Sequence, residues 1–323
     1  MRALFLAPLI ALAVAANCVQ AQQNERPHRI GVLANGRAAQ FEELLRRGLS
    51  NLGWTEGRNI AIEWRESAGR NEQLPALAAE LVRSRPDVII AAGTPATVAA
   101  KSATGTIPIV FTVVGDPVAM GIVASLARPE GNLTGTSMAG AAIGGRHVQY
   151  LKEAIPGLSR VAVLVNSTFA PDRAARHEFD IAARRLGIVL TPIEVQSPEA
   201  LDGAFAAMAR EKLSAALVVG QPMMFTLRSR LARLAIEHRV ATVVPWSEAV
   251  DAGLFMSYGE LVADHWRRVP YFVDRILRGA RPAELSVEQP TRFYLAINLK
   301  TAKSIGVAVS TALRLQADRL IEE

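Results

Sequence analysis

Cysteine is all but missing from this chain: of 323 residues only Cys18 carries a thiol, and it lies inside the apolar N-terminal segment. A chain cut after that segment would hold no disulfide and no thiol nucleophile. Histidine is sparse as well. His28, His147, His177, His238 and His265 are scattered, with no two at metal-ligand spacing, so the sequence supports no metal site and no cofactor is expected. Neither a Gly-x-Ser-x-Gly elbow nor a phosphate-cradling glycine loop ending in lysine occurs, which removes the sequence signatures of α/β-hydrolase and P-loop chemistry. After residue 21 no apolar run reaches the roughly 18 residues of a membrane-crossing helix. The formal charge of +6 is spread over arginines in many helical segments. Without a basic run or an RNA- or DNA-binding motif, such charges read as solvated helix faces, and no nucleic-acid partner is expected.

What is present begins with an address. Arg2, the apolar stretch from Ala3 to Ala16 and the small-residue site Val19-Gln20-Ala21 read as a signal peptide over residues 1–21, which predicts a soluble periplasmic protein. Ala15-Ala16-Asn17 ahead of Cys18 do not form a lipoprotein signal, so no lipid anchor is expected. About 300 residues remain, enough for two domains of ordinary size.

The stretch from Asp87 to Gly121 organises the reading. Val88 to Ala92 is a short apolar run broken by Gly93-Thr94-Pro95, and Pro108 to Val114 is a second one broken by Gly115-Asp116-Pro117. Each is a strand, a tight loop and a helix start, with a proline suited to the first turn. Strands at His28 to Ala34 and Asn59 to Glu66, and helices at Phe41 to Leu52 and Leu74 to Val82, complete a set of βαβ units, which fold into a parallel sheet. A further helix is expected over Val118 to Ala127, then a strand over Leu133 to Met138, a glycine-rich link from Gly140 to Gly145 and a helix from His147. A second set follows, with strands at Val161 to Val165, Ile188 to Val195, Ala215 to Val219 and Ala241 to Val244. The tail, with a strand at Gly253 to Tyr258, a long helix to Leu277, a strand at Phe293 to Ile297 and a last helix from Thr311 to Glu322, forms no third unit and is best used by crossing between the two halves.

Certain segments resemble a known family. Gly53-Trp54-Thr55-Glu56-Gly57-Arg58-Asn59-Ile60, Gly93-Thr94-Pro95-Ala96, Gly115-Asp116-Pro117, Ser257-Tyr258-Gly259, Glu288-Gln289-Pro290-Thr291 and Asn298-Leu299-Lys300-Thr301-Ala302-Lys303 are similar, in this order, to the substrate-binding components of ABC transporters, in the tryptophan/tyrosine-binding-like branch. The resemblance implies a type I periplasmic-binding-protein fold: α/β, two Rossmann-like lobes joined by three crossovers, with residues 28–139 plus 260–283 in the first lobe and 140–259 plus 284–323 in the second. It also implies membrane permease subunits as partners, a monomeric receptor and no catalytic residue. The loop after the first strand, Asn35 to Ala39, is shorter than the family's, which implies an altered cleft.

Ligands of such sheets bind at the carboxyl ends of the strands, so the site candidates follow from the junctions. Thr94, Ala96, Gly115 and Asp116 are expected on one lobe, offering N–H groups and a hydroxyl to a carboxylate, with Asp116 receiving an ammonium. Ser167, Gly220, Gln221, Trp246 and Ser247 are expected on the other, Trp246 against an apolar ligand group, and Tyr258 at the end of the crossing strand. The same residues also fit duties as helix caps and packing. The ligand expected is a small carboxylate-bearing molecule, an amino acid slightly ahead of a plain organic acid. The rival reading is an exported two-lobed enzyme, a hydrolase or isomerase.

Overall fold

The structure, a computed structural model, describes residues 26–138, 143–167, 170–289 and 291–322. The expected signal peptide lies outside these, as does the first half of the glycine-rich link. Two sheets organise the chain. The first has the order β2-β1-β3-β4-β5, formed by β1 (His28–Ala34), β2 (Ile60–Glu66), β3 (Val88–Ala92), β4 (Ile109–Gly115) and β5 (Leu133–Met138). All its pairings are parallel. Near-continuous burial along β1, β3 and β4 is the mark of a parallel sheet covered on both faces. Helix α1 (Ala39–Asn51) turns Phe41, Leu45 and Leu49 to one face, while α2 (Leu74–Arg83) and α3 (Thr94–Ala103) cover the other.

Helix α4 (Gly144–Ala154) leads into the second sheet. Its seven strands run β12-β11-β10-β9-β8-β6-β7, with β6 (Arg160–Val165), β7 (Val189–Glu194), β8 (Ala215–Val218), β9 (Ala241–Trp246), β10 (Met256–Glu260), β11 (Tyr294–Asn298) and β12 (Arg319–Ile321). Only β10 and β11 pair antiparallel. Helices α5 (Ala170–Arg185), α6 (Ala200–Arg210), α7 (Pro222–Thr226), α8 (Arg228–Glu237) and α9 (Glu248–Asp251) link these strands. The chain passes between lobes after β5, after β10 and before β11. After β10 it enters α10 (Val262–Leu277), which packs on α1 in the first lobe. Trp54, in the Gly53 to Ile60 segment, donates its indole N–H to Asp274 of α10 at 2.8 Å, so that segment anchors the crossing helix. At the β9/β10 register shift a Cβ on Gly259 would lie 1.9 Å from the Pro245 carbonyl oxygen. Only glycine lets the two strands meet there.

Three expectations are corrected. No helix spans Val118 to Ala127: the Ile122 and Val123 N–H groups both reach back to the Pro117 carbonyl, and Gly121 with φ +62 ends the turn after a few residues. The last helix is α12 (Thr311–Gln316), following α11 (Leu299–Ile305). After it the chain extends to pair β12 with β11, covering that strand's free edge, and the Asp318 carboxylate takes the Leu295 N–H. Finally, residues 287 and 288, expected with the second lobe, bond to the first. Val287 N–H reaches Leu126, and Glu288 exchanges backbone bonds with Gly135 and Ser137 of β5. Among the described residues no helix is long and apolar enough to cross a membrane.

Candidate functional site

The carboxyl ends of β1, β3 and β4 face those of β8 and β9 across a cavity of about 550 Å³. That is the size of a small-molecule site. The Gly93 junction is built as its sequence requires: Gly93 takes φ +87, a conformation costly for other residues, and Pro95 occupies the first turn of α3. Thr94 is buried, and its hydroxyl accepts the Gly115 N–H at 3.3 Å, which ties the two junctions together. Just before Gly115, the β-branched Val113 holds φ +58 at a register shift of β4 and lines the cavity. Such backbone strain clusters at ligand sites.

Five of the expected residues line the cavity: Thr94, Gly115, Asp116, Gly220 and Trp246. Asp116 is exposed and its carboxylate caps the Ala119 N–H at 3.0 Å, so its local structural duty is filled. The other five are outside the lining. Ala96 is buried in the first lobe's core among the α2 and α3 side chains. Ser167 is exposed, bonded through its hydroxyl and N–H to Glu194. Gln221 is buried at the start of α7. Ser247 is buried just after β9, its hydroxyl unpartnered among the described residues. Tyr258 points into an aromatic group with Tyr150 and Phe293, ring centroids 5.1 and 6.1 Å away.

The wall contains more than the strand ends. The short loop Asn35 to Ala38 lines it despite its length. Aromatic rings form a run that crosses from lobe to lobe: Trp64 to Trp266 at 6.3 Å, Trp266 to Phe41 at 5.7 Å, Phe41 to Phe225 at 5.8 Å and Phe225 to Trp246 at 5.5 Å between centroids. All but Trp64 line the cavity. Offset and edge contacts at these distances are the favourable ones, and the faces they leave suit another flat ring.

The charges divide into engaged and available. Arg37 makes two bonds to Glu42, at 2.7 and 2.8 Å, and this pairing holds the Glu42 carboxyl down to about 2. Arg228 is half-buried with its guanidinium 4.6 Å from the Phe225 ring centroid and one bond to the Phe225 carbonyl. It has no carboxylate within ion-pair distance among the described residues, and burial pulls its pKa down. Glu260 is a buried carboxylate in the wall, bonded to His265 Nε2 at 2.9 Å, and the chain continues from His265 Nδ1 to the Thr136 hydroxyl at 3.1 Å and on to Thr112 at 3.2 Å. This Glu–His–Thr order imitates a catalytic triad. Its polarity is reversed for catalysis, because the hydroxyl is buried between β4 and β5 and only the carboxylate lines the cavity. Two residues of the wall carry a buried side-chain atom with no hydrogen-bond partner among the described residues: Asn35, at Oδ1, while its amide donates to Asn71 at 2.6 Å, and His147, at Nδ1.

The lobes touch around the cavity. Phe41 meets Phe225, a Cβ on Gly93 would lie 2.6 Å from Pro222, and Arg70 pairs with Glu199 at 2.6 Å. Glu248, at the start of α9, accepts the Ala263 N–H at the start of α10 at 2.9 Å. The second crossing is thus held from both sides.

Comparison with known proteins adds the following. The sequence profile of one family, described as ABC transporter substrate binding protein, matches residues 36–321. A segment of 91 residues is 38% identical to the tyrosine-binding protein of Clostridioides difficile (strain R20291), spanning 28% of this chain and 26% of that protein's length. A solved conserved domain protein from Vibrio cholerae O1 biovar El Tor is 25% identical with a TM-score of 0.83, covering 91% of this chain and 100% of that one. An ABC domain from Streptococcus pneumoniae, solved in complex with L-Trp, has a TM-score of 0.81 at 20% identity over 92% of this chain and 100% of that one. The last is a likeness of fold.

Proposed function

Because the chain belongs to the ABC transporter substrate-binding proteins, we propose that it is an exported, monomeric periplasmic receptor that encloses an aromatic α-amino acid between its lobes and delivers it to a membrane permease. The observation that carries this reading is the run of rings from both lobes, with Phe41, Trp266, Phe225 and Trp246 all in the cavity wall. A flat apolar side chain fills such a space, and filling it links the lobes. The names of the relatives support the same class: one is a tyrosine-binding protein and another was solved with L-Trp.

The polar groups divide in the same sense. Arg228 and the Thr94 hydroxyl, both in the cavity wall, offer donors for a carboxylate. For the ammonium the sequence pointed to Asp116, but the buried Glu260 in the cavity wall is the better acceptor. A buried carboxylate gains more from a ligand cation than an exposed one, since less solvent competes. The enzyme reading gains nothing from the Glu260–His265–Thr136 chain, whose hydroxyl does not reach the cavity.

Calorimetry tests this with L-tryptophan, L-tyrosine and indole-3-propionate, the last lacking the ammonium. Glu260→Gln is expected to weaken the amino acids by about ten- to a hundredfold, the range for a hydrogen bond to a charge, and to leave indole-3-propionate nearly unchanged. Asp116→Asn is expected to change neither. No binding of either amino acid would sink the reading, and consumption of the bound compound would favour the enzyme.

A further inference from the structure

The short helix α7 of the second lobe meets the first lobe at two glycines. Pro222 stands over Gly93, as described, and Thr226 stands in the same way over Gly36, in the loop after β1. A Cβ on Gly36 would lie 2.8 Å from the Thr226 hydroxyl oxygen and 2.9 Å from its methyl carbon, closer than side chains approach. Thr226 is not free to turn aside, being β-branched and bonded through its hydroxyl to the Pro222 carbonyl at 3.0 Å. Next to it in the same turn, Phe225 stacks on Phe41 at 5.8 Å. Gly36, Thr226, Phe225 and Phe41 all line the cavity. Gly93 is required by its own backbone, at φ +87, whereas Gly36 lies outside the left-handed region. The three atoms nearest to a Cβ on Gly36 all belong to Thr226. The missing side chain at Gly36 therefore answers to the other lobe and not to its own.

Shape is what holds this edge. Among the described residues no hydrogen bond joins α7 to the first lobe, whereas at the second crossing the buried Glu260–His265–Thr136 chain and the Glu248 bond to the Ala263 N–H do join the lobes. An edge without polar bonds has nothing to offset a misfit, so a methyl group placed in it pushes α7 away or forces Thr226 off its rotamer. We infer that Gly36 is a positioning residue for ligand binding: its missing side chain is the seat into which Thr226 docks, and that docking brings Phe225 against Phe41 and completes the aromatic wall from both lobes. The inference rests on the cavity being the ligand site, as read above, and on the aromatic amino acid reading for its choice of probes.

Gly36→Ala adds one methyl to the seat without asking for a left-handed backbone. It is expected to leave the urea midpoint nearly unchanged and to weaken L-tryptophan or L-tyrosine in calorimetry by about five- to a hundredfold, the effect of one methyl too many in a packed contact. Thr226→Ala takes away the two atoms that this methyl would meet. In that background Gly36→Ala is expected to change affinity by less than about threefold, which a merely structural role for Gly36 would not produce. A further variant needs no ligand. Cys18→Ser removes the one native thiol, and the pair Gly36→Cys with Thr226→Cys then places two Cβ atoms 3.5 Å apart, a separation that a disulfide spans. Thiol titration and intact mass after mild oxidation are expected to show both thiols lost within one chain. A pair that stays reduced overturns the seat, and so does an equal loss of affinity from Gly36→Ala in both Thr226 backgrounds. Should neither amino acid bind the wild type, the aromatic reading falls and the crosslink decides the seat by itself.

Discussion

Two buried histidines on either side of the cavity differ in how completely they are bonded. His265, in the crossing helix α10, has a partner on each nitrogen, Glu260 from the second lobe and Thr136 from the first. His147, in the cavity wall, has a partner on one nitrogen only among the described residues. Both are at most 5% exposed, so burial does not tell them apart. The number of satisfied atoms does. A fully bonded buried side chain holds the fold in one arrangement, whereas a bare buried acceptor is a cost that the rest of the fold carries.

The comparison breaks first at His265. His265→Leu leaves the Glu260 carboxylate buried without its histidine and cuts the polar chain between the lobes. A loss of about 2 to 4 kcal/mol in urea unfolding is expected, the range for removing one partner of a buried polar pair. His147→Leu at neutral pH is expected to cost clearly less, because it removes one hydrogen bond and also an unsatisfied atom. Equal losses would mean that the free nitrogen of His147 is not free in solution.

The second effect is carried by pH. The His147 pKa falls from 6.5 to about 4 because burial disfavours the imidazolium. The unfolded chain therefore takes up a proton near 6.5 that the folded chain refuses until near 4. Stability is fully present above about 6.5 and is lost as the pH falls through that window, by about 3 kcal/mol in all. Urea midpoints of wild type and His147→Leu, followed from pH 7.5 to 4.5, should show the variant's deficit shrink and then reverse as the pH falls. The carboxylates titrate in both proteins and cancel in the difference, so parallel curves would show that His147 is solvated.

The sequence carried the fold further than it carried the site. Strands such as Val88 to Ala92 and Val161 to Val165 are unbroken apolar runs closed by glycine or proline, and each appears where its run predicts. The stretch from Val118 to Ala127 had the apolar content of a helix, but Gly121 and the pull of Pro117 outweighed it. At the cavity, the residues around strand ends were legible as far as their place goes: Thr94 and Gly115 line it. Phe41 and Trp266 were not, since on an amphipathic helix a core ring and a cavity ring have the same spacing. Glu260 was hidden for another reason: nothing local marks a carboxylate as buried when its partner is a histidine on the next element, seated in the other lobe.

The smallest effect sharpens what the hinge contributes. Arg70 and Glu199 also join the lobes, at 2.6 Å, but their side chains are 45% and 59% exposed. If spanning the lobes were what matters, this pair would weigh as much as Glu260 and His265. If burial matters, it should be worth little, because water and salt screen it and two long side chains must be held still. Arg70→Ala is thus expected to weaken ligand affinity less than about fivefold, through a slightly less favoured closed state. The deficit should vanish in 1 M salt, where the wild type loses the same attraction. A loss matching that of His265→Leu, or one that persists in salt, would place the weight of closure at the lip of the cleft and not at the hinge.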